Sequence, residues 1–151
     1  MAVEYYFAYG SNMNPERVSA RGLAFVEIRP GRLDGVRLVF DKVSRNHPHA
    51  AHANIVYAPG AFVEGVLYRL RSAGEILKMD PFERAPVNYG RDAVEVFSED
   101  ERIPAWTYFA NLAVRRNGFK PPRSYLDHLL AGRPYLSPGY YRRLQGIDCA
   151  D

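Results

Sequence analysis

Glu83 is the carboxylate in this sequence whose setting best suits proton transfer. It follows a predicted helix that Pro81 should kink or end, and its neighbours Phe82 and Ala85 are apolar. A carboxylate held in apolar surroundings has a raised pKa, as a general acid–base group requires. The alternative is a surface glutamate paired with Arg84, and spacing alone does not separate the two interpretations.

A second chemical feature is the turn formed by Tyr9, Gly10, Ser11 and Asn12, between a predicted buried strand and a predicted helix. Backbone N–H groups at such a junction, with a glycine that allows close approach, can hold an anion or an oxyanion. The alternative is an ordinary tight turn capped by serine or asparagine, which the local pattern alone favours. No Gly-Lys-Ser/Thr follows as in a nucleotide-binding loop, and Ser11 is not flanked as in Gly-x-Ser-x-Gly.

Three of the four histidines, His47, His49 and His52, lie close together in a segment without periodicity. Metal binding is conceivable, but only Asp41 lies nearby as a further ligand, so an exposed polar loop is the favoured interpretation. The single cysteine, Cys149, excludes an intramolecular disulfide and a cysteine-based zinc cluster.

The elements that must position these residues are short strands and shorter helices. Turn residues, periodicity and caps predict strands at 3–9, 23–29, 35–42, 53–57, 62–70, 91–97 and 103–110, and helices at 14–21, 72–80, 122–130 and 137–147. The helices do not alternate regularly with the strands, which argues against a doubly wound parallel sheet. We expect an α+β fold in which a mixed, largely antiparallel sheet curls into a small barrel with peripheral helices.

Composition narrows the class of protein. The chain has 151 residues, of which 47% are hydrophobic and 25% charged, so residues 1–151 are expected to form a single domain. The net charge of +3 comes from scattered arginines, which is weak evidence for a nucleic-acid partner. No apolar run approaches a membrane span, and the N-terminal residues do not resemble a signal peptide. We expect a soluble, cytoplasmic protein.

Several segments, in order along nearly the whole chain, resemble the gamma-glutamylcyclotransferase family. The most specific is 6–13 followed by Glu16 and Arg17, and the others lie at 59–68, 77–83, 89–96, 124–125 and 139–144. The block at 77–83 resembles the one that carries the catalytic glutamate of the family. Asn12-Met13 resembles the branch that acts on gamma-glutamyl amines or amino acids more than the glutathione-specific branch.

The resemblance implies a site and a reaction. Tyr9, Gly10, Ser11 and Asn12 would hold the gamma-glutamyl group, Tyr125 would contact the substrate, and Glu83 would be the acid–base catalyst. The alpha-amine of the substrate would attack its own gamma-carbonyl, which closes 5-oxoproline and expels an amine or amino acid. This implies a small-molecule partner, no nucleic acid, no membrane, no metal and no cofactor.

Arg84 departs from the family pattern, in which glycine or another small residue often follows the catalytic glutamate. If Arg84 points inward, it would lower the pKa of Glu83 or bind an acidic leaving group. We expect it instead to point to solvent, because a guanidinium against the carboxyl would oppose proton uptake near neutral pH.

Two other function classes remain open from the sequence. A non-catalytic binding module would keep the pocket, and Arg84 filling the cavity would favour it. In the enzyme that the resemblance implies, by contrast, Glu83 would face the Tyr9–Asn12 turn across a cavity. A basic accessory protein for nucleic acids would need a contiguous arginine face with exposed aromatic residues.

Overall fold

The described residues, 2–44, 46 and 49–151, form a closed five-stranded barrel with four α-helices in a computed structural model. The strands are β1 (Tyr5–Ala8), β2 (Phe25–Val43), β3 (Ala51–Leu70), β4 (Tyr89–Ser98) and β5 (Glu101–Ala110). The helices are α1 (Pro15–Ala20), α2 (Asp80–Glu83), α3 (Arg123–Leu130) and α4 (Pro138–Gln145). Short 3₁₀ helices lie at Ser11–Met13, Ala73–Lys78, Leu112–Val114 and Arg133–Tyr135.

The strand order around the barrel is β1-β3-β2-β4-β5, and every neighbouring pair is antiparallel except β1 and β5. The parallel pairing of Tyr6 with Trp106 closes the barrel. This confirms the predicted fold, a largely antiparallel mixed sheet that curls into a barrel with helices at its periphery. Among the described residues, no helix is long and apolar enough to cross a membrane.

The prediction of seven strands was wrong, because two predicted pairs of strands are single long strands. The turn expected around Gly35 is a β-bulge between Asp34 and Val36, so 23–29 and 35–42 merge into β2. The segments 53–57 and 62–70 merge in the same way into β3. The two long strands pair from Phe25–Leu70 to Val43–Ala51, and this extended ladder keeps both chains in register past their turn-forming residues.

The predicted helix at 72–80 was also wrong in its form and in the role of Pro81. That segment is a 3₁₀ helix that is followed directly by α2, and Pro81 lies in the first turn of α2. A proline is tolerated there because the first N–H groups of a helix have no partner within it. Pro81 therefore starts the helix that carries Glu83. The predicted caps of α1 and α4 are confirmed, since Asn14 accepts from Glu16 N and Ser137 accepts from Tyr140 N.

Successive side chains of β1 point to opposite faces of the strand, so they pack into two different clusters of the core. Phe7 packs with Leu67 and Val96 in one buried cluster, whereas Tyr6 packs with Tyr68 in a second cluster that includes Leu126 and Leu144 of α3 and α4. The strands approach closely at Gly65, where a Cβ atom would lie 2.2 Å from the carbonyl oxygen of Ala8. Gly65 therefore lets β1 lie tightly against β3 immediately before the Tyr9–Asn12 turn.

Candidate active site

A cavity of about 260 Å³ opens at one end of the barrel. Its walls include the last residues of β1, the first residues of β3 and β4, and side chains from α1, α2 and α3. The cavity brings together every residue that the sequence nominated for the site: Tyr9, Gly10, Ser11, Asn12, Glu83 and Tyr125. Glu83 lines this cavity together with the Tyr9–Asn12 turn and accepts a hydrogen bond from Asn12, the last residue of that turn.

Glu83 is positioned by Asp80, the first residue of α2. The Asp80 carboxylate accepts two hydrogen bonds from Arg91, at 2.8 and 3.1 Å, and one from the Tyr108 hydroxyl at 2.6 Å. Arg91 lies on β4 and Tyr108 on β5, so these bonds fix the short helix to the barrel wall. Burial alone would raise the pKa of Asp80, but the hydrogen bonds from Arg91 and Tyr108 outweigh it and hold that pKa below its ordinary value.

The pKa of the Glu83 carboxyl is shifted in the opposite direction to that of Asp80. Burial raises its pKa above the ordinary value, and the charges of Arg21, Arg17 and Lys42 reduce this shift without cancelling it. The side chain remains partly exposed to the cavity. A carboxyl group whose pKa is raised in this way is suited both to accept and to donate a proton, as acid–base catalysis requires.

Asn12 is the direct neighbour of Glu83. Its side-chain nitrogen donates to Glu83 Oε1 at 3.2 Å and to the Tyr6 hydroxyl at 2.8 Å. Its side-chain oxygen accepts from Arg21 at 3.1 Å, and its backbone carbonyl accepts from the Tyr68 hydroxyl at 2.6 Å. These contacts fix the side-chain amide of Asn12, and this amide in turn orients the carboxyl of Glu83, the candidate catalytic residue.

Tyr9 and Tyr125 differ in how their hydroxyl groups are used. The Tyr9 hydroxyl donates to the backbone carbonyl of Tyr108, so Tyr9 contributes its ring and backbone to the cavity. The Tyr125 hydroxyl accepts from Ala53 N at 3.1 Å, and its ring stacks on His52 with centroids 4.3 Å apart. Burial raises the pKa of Tyr125 to about 12, so its hydroxyl keeps its proton and can donate it to a ligand.

Gly10 is required by its contact with Tyr125. A Cβ atom at Gly10 would lie 3.0 Å from the Tyr125 hydroxyl and 3.3 Å from the Cβ of Ala53. The turn can approach α3 this closely only because residue 10 has no side chain. Ser11 follows as the first residue of the 3₁₀ helix and lies in the cavity wall.

Three cations of the cavity wall were not nominated as site residues by the sequence analysis, although Arg17 belongs to its most specific family-like segment: Arg17, Arg21 and Lys42. A signal was available for two of them, since Arg17 and Arg21 are four residues apart and therefore share one face of α1. The Arg17 guanidinium lies 3.4 Å from His128 Nε2. Burial, followed by the charges of Arg17 and Arg21, lowers the pKa of His128, which keeps this imidazole neutral beside them. Lys42, at the end of β2, is brought in only by tertiary folding.

Arg84 is exposed at the mouth of the cavity and does not fill it. Its backbone φ of 51° lies in the left-handed region, which glycine adopts more readily than other residues. The exposed side chain agrees with the expected orientation toward solvent.

The histidine segment does not form a metal centre in the part of the chain that the structure describes. His47 lies outside the described residues, and His52 is the residue stacked on Tyr125. Among the described residues there is no group of three or more His, Cys, Asp or Glu side chains that could hold a metal ion.

With this fold and site in place, comparison with known proteins gives the family. The model of the family described as gamma-glutamyl cyclotransferase, AIG2-like, matches residues 6–128. The chain belongs to this family, which confirms the resemblance found in the sequence. A comparison with curated protein sequences gave no significant match.

Solved structures agree with the family. A protein titled gamma-glutamyl cyclotransferase is 25% identical with a TM-score of 0.80, over 97% of this chain and 89% of that chain. An uncharacterized protein from Homo sapiens is 25% identical with a TM-score of 0.82, over the same shares. A yeast gamma-glutamyl cyclotransferase specific to glutathione shares the fold, with a TM-score of 0.68 and 14% identity over 95% of this chain and 94% of that chain.

Proposed function

We propose that this protein is a gamma-glutamyl cyclotransferase that converts a small gamma-glutamyl amine or amino acid into 5-oxoproline and the free amine. The observation that carries the proposal is the position of Glu83, whose carboxyl lines one cavity with the Tyr9–Asn12 turn, accepts a hydrogen bond from Asn12 and has a raised pKa. Membership of the family supports it independently.

The proposed reaction begins with proton removal. At neutral pH the alpha-amine of the substrate is an ammonium ion and cannot attack, so the Glu83 carboxylate takes one of its protons. The freed amine then forms a C–N bond to the gamma-carbonyl carbon of the same molecule. Because nucleophile and electrophile are already joined, the enzyme has only to hold the chain near its cyclised shape.

The second half of the reaction returns the proton. The tetrahedral intermediate collapses, the bond to the leaving nitrogen breaks, and Glu83 gives the proton to that nitrogen. The ring nitrogen loses its second proton in the same half of the reaction, and this proton leaves with the departing amine, which is released as an ammonium ion at neutral pH. One carboxyl thus serves as base and then as acid, and no water is consumed. The proposed chemistry needs no metal, cofactor or enzyme nucleophile, because both reacting groups belong to the substrate.

The other groups in the cavity have consistent proposed roles. The positive charges of Arg17 and Arg21 suit the alpha-carboxylate of the gamma-glutamyl group. Backbone N–H groups of the turn at Gly10 and Ser11 suit the oxyanion that develops on the gamma-carbonyl. The protonated Tyr125 hydroxyl, held beside Gly10, supplies a further donor.

The non-catalytic binding module is less well supported. That alternative gains if Arg84 fills the cavity, and Arg84 is instead exposed at its mouth. A pure binder also has no need of a carboxyl whose pKa is raised beside three cations.

The direct test is incubation of the protein with a panel of gamma-glutamyl amines and gamma-glutamyl amino acids, with detection of 5-oxoproline. We expect 5-oxoproline and free amine in equal amounts from at least one compound, and release that is slower by about 10²-fold or more with the Glu83→Gln variant. Binding of these compounds without 5-oxoproline would favour the binding module instead.

A further inference from the structure

A second cavity, of about 420 Å³, adjoins the candidate active site. Lys42 and Asn88 line both cavities and are both almost fully buried. These two residues therefore mark the junction between the cavities. A ligand that fills the first cavity therefore lies next to the second, with Lys42 and Asn88 at the boundary.

The second cavity has an apolar wall with a positively charged edge. Val43, Val114 and Phe119 supply partly buried apolar surface, and Lys42 and Arg116 supply positive charge. Among the described residues that line it, none is acidic. This combination suits a ligand that carries both an apolar group and a carboxylate.

The segment that carries Arg116 is held in place by the barrel. Arg116 N donates to the carbonyl oxygen of Asp41 at 2.7 Å, and Arg115 pairs with the Asp41 carboxylate at 2.8 Å. Asn111 N donates to the carbonyl of Asn88 at 2.9 Å. The wall is thus fixed to the same residue, Asn88, that borders the first cavity. The Arg116 guanidinium donates one hydrogen bond to the carbonyl oxygen of Arg115 at 2.8 Å, and its positive charge is not paired with a carboxylate of the described residues.

The sizes of the two cavities indicate which part of the substrate each cavity can hold. The first, at about 260 Å³, is smaller than the roughly 300–1,000 Å³ of pockets that enclose drug-sized ligands. It suits a gamma-glutamyl group alone, so whatever is bonded to the gamma-carbonyl must extend out of it.

We propose that the second cavity binds the leaving group, and that the preferred leaving group is an amino acid with an apolar side chain. Its carboxylate is bound at Arg116 and Lys42, and its side chain lies against Val43, Val114 and Phe119. This inference rests on the proposed cyclotransferase function and narrows its substrate class. An amine without a carboxylate would not form the proposed ion pair with Arg116.

The first experiment compares gamma-glutamyl-leucine with gamma-glutamyl-isopentylamine, which has the same side chain but no carboxylate. We expect the wild-type kcat/KM to be about tenfold higher or more for the leucine compound, a factor that corresponds to about 1.4 kcal/mol. In Arg116→Gln this ratio should fall threefold to tenfold. Arg142→Gln, which removes an exposed arginine on α4 that lines neither cavity, should leave the ratio as in the wild type.

The second experiment tests the apolar wall. The ratio of kcat/KM for gamma-glutamyl-leucine over gamma-glutamyl-glycine should exceed one in the wild type and should fall about fivefold in Phe119→Ala. Circular dichroism and thermal melting would verify that this variant is folded, and Val114→Ala provides an independent probe of the same wall.

The outcomes separate the two proposals. If the wild type releases 5-oxoproline from all these compounds at equal rates, and neither ratio responds to Arg116→Gln, Phe119→Ala or Val114→Ala, the leaving-group site is overturned and the cyclotransferase function stands. If the wild type releases 5-oxoproline from no gamma-glutamyl compound, both proposals fail.

Discussion

Asp80 and Glu83, the first and last residues of one short helix, have pKa values displaced in opposite directions. The hydrogen bonds from Arg91 and Tyr108 overcome the effect of burial and lower the pKa of Asp80, whereas burial raises that of Glu83. When the surroundings of two nearby carboxyl groups separate their pKa values, they suit the groups to different tasks. Here the ionised Asp80 anchors the helix, and Glu83 remains able to exchange a proton.

Glu83→Gln should greatly reduce turnover and preserve the fold. Glutamine keeps the shape and most hydrogen bonds of glutamate but cannot carry a proton between the substrate nitrogens. We expect kcat/KM to fall by about 10²–10⁴-fold, the contribution typical of general acid–base catalysis. Release of 5-oxoproline gives the rate. Glu95→Gln, at an exposed surface ion pair, is the matched control and should keep wild-type activity. Near-normal turnover of Glu83→Gln would remove this residue from the catalytic role.

The same variant should be more stable than the wild type at neutral pH. A carboxyl whose folded pKa is raised stabilises the protein below its unfolded pKa, and this stabilisation is lost as the pH rises through the folded pKa. Glutamine does not titrate, so the Tm of Glu83→Gln minus that of the wild type should increase from about pH 4 to pH 7. Thermal melts across this range measure the difference, and a difference that decreases with pH would contradict the raised pKa.

The charges around Glu83 should be visible in the pH dependence of the rate. If Glu83 acts as the base, the acidic limb of kcat/KM reports its pKa in the free enzyme. Arg21 is the cation that lowers this pKa most, so Arg21→Gln should move the limb to higher pH. Arg84→Gln should leave the limb in place, because the Arg84 side chain is exposed and exposed charges interact weakly. A shift in Arg84→Gln alone would make Arg84 the inward-pointing residue.

Asp80→Asn should disturb the position of Glu83 and its pKa together. The variant weakens the hydrogen bonds to Arg91 and Tyr108 that hold the helix, so kcat should fall. The negative charge of Asp80 also raises the pKa of Glu83, and its loss should move the acidic limb to lower pH, opposite to Arg21→Gln. The pH profile thus separates an electrostatic effect from simple misfolding. An unchanged limb with reduced Tm would limit Asp80 to a structural role.

Gly10→Ala should reduce activity more than stability. The new methyl group would displace the Tyr125 hydroxyl, which lies 3.0 Å from its position, and would narrow the approach to the turn. Gly74→Ala is the matched control, because no atom of the described residues lies within 4 Å of the added carbon. Comparing kcat/KM with the free energy of urea unfolding for both variants tests this. If Gly10→Ala binds substrate as tightly as the wild type, the turn does not contact the ligand.

The sequence predicted those parts of the molecule that depend on local chemistry. The turn after β1 and the caps of α1 and α4 are determined by near neighbours in the chain. The apolar neighbours of Glu83 in the chain do not bury it, since Phe82 is 48% exposed, and its direct partner is the distant Asn12. The merging of the shorter predicted strands into β2 and β3 was not predictable, because a turn-forming residue becomes a bulge only when a long partner strand continues past it. Lys42 was missed for the same reason, since only barrel closure brings the end of β2 to the cavity.

Closure of the barrel through β1 also sets the order in which the site can be assembled. Tyr6 pairs with Tyr68 and with Trp106, and the turn that follows β1 needs Tyr125 as its neighbour. Contacts so distant along the chain slow folding, because the loop between them must be closed first. On the ribosome, at about 5–20 residues per second, Tyr125 is therefore translated on the order of ten seconds after the Tyr9–Asn12 turn. The part of the pocket that is translated first therefore gains its full set of contacts only after Tyr125 has been translated.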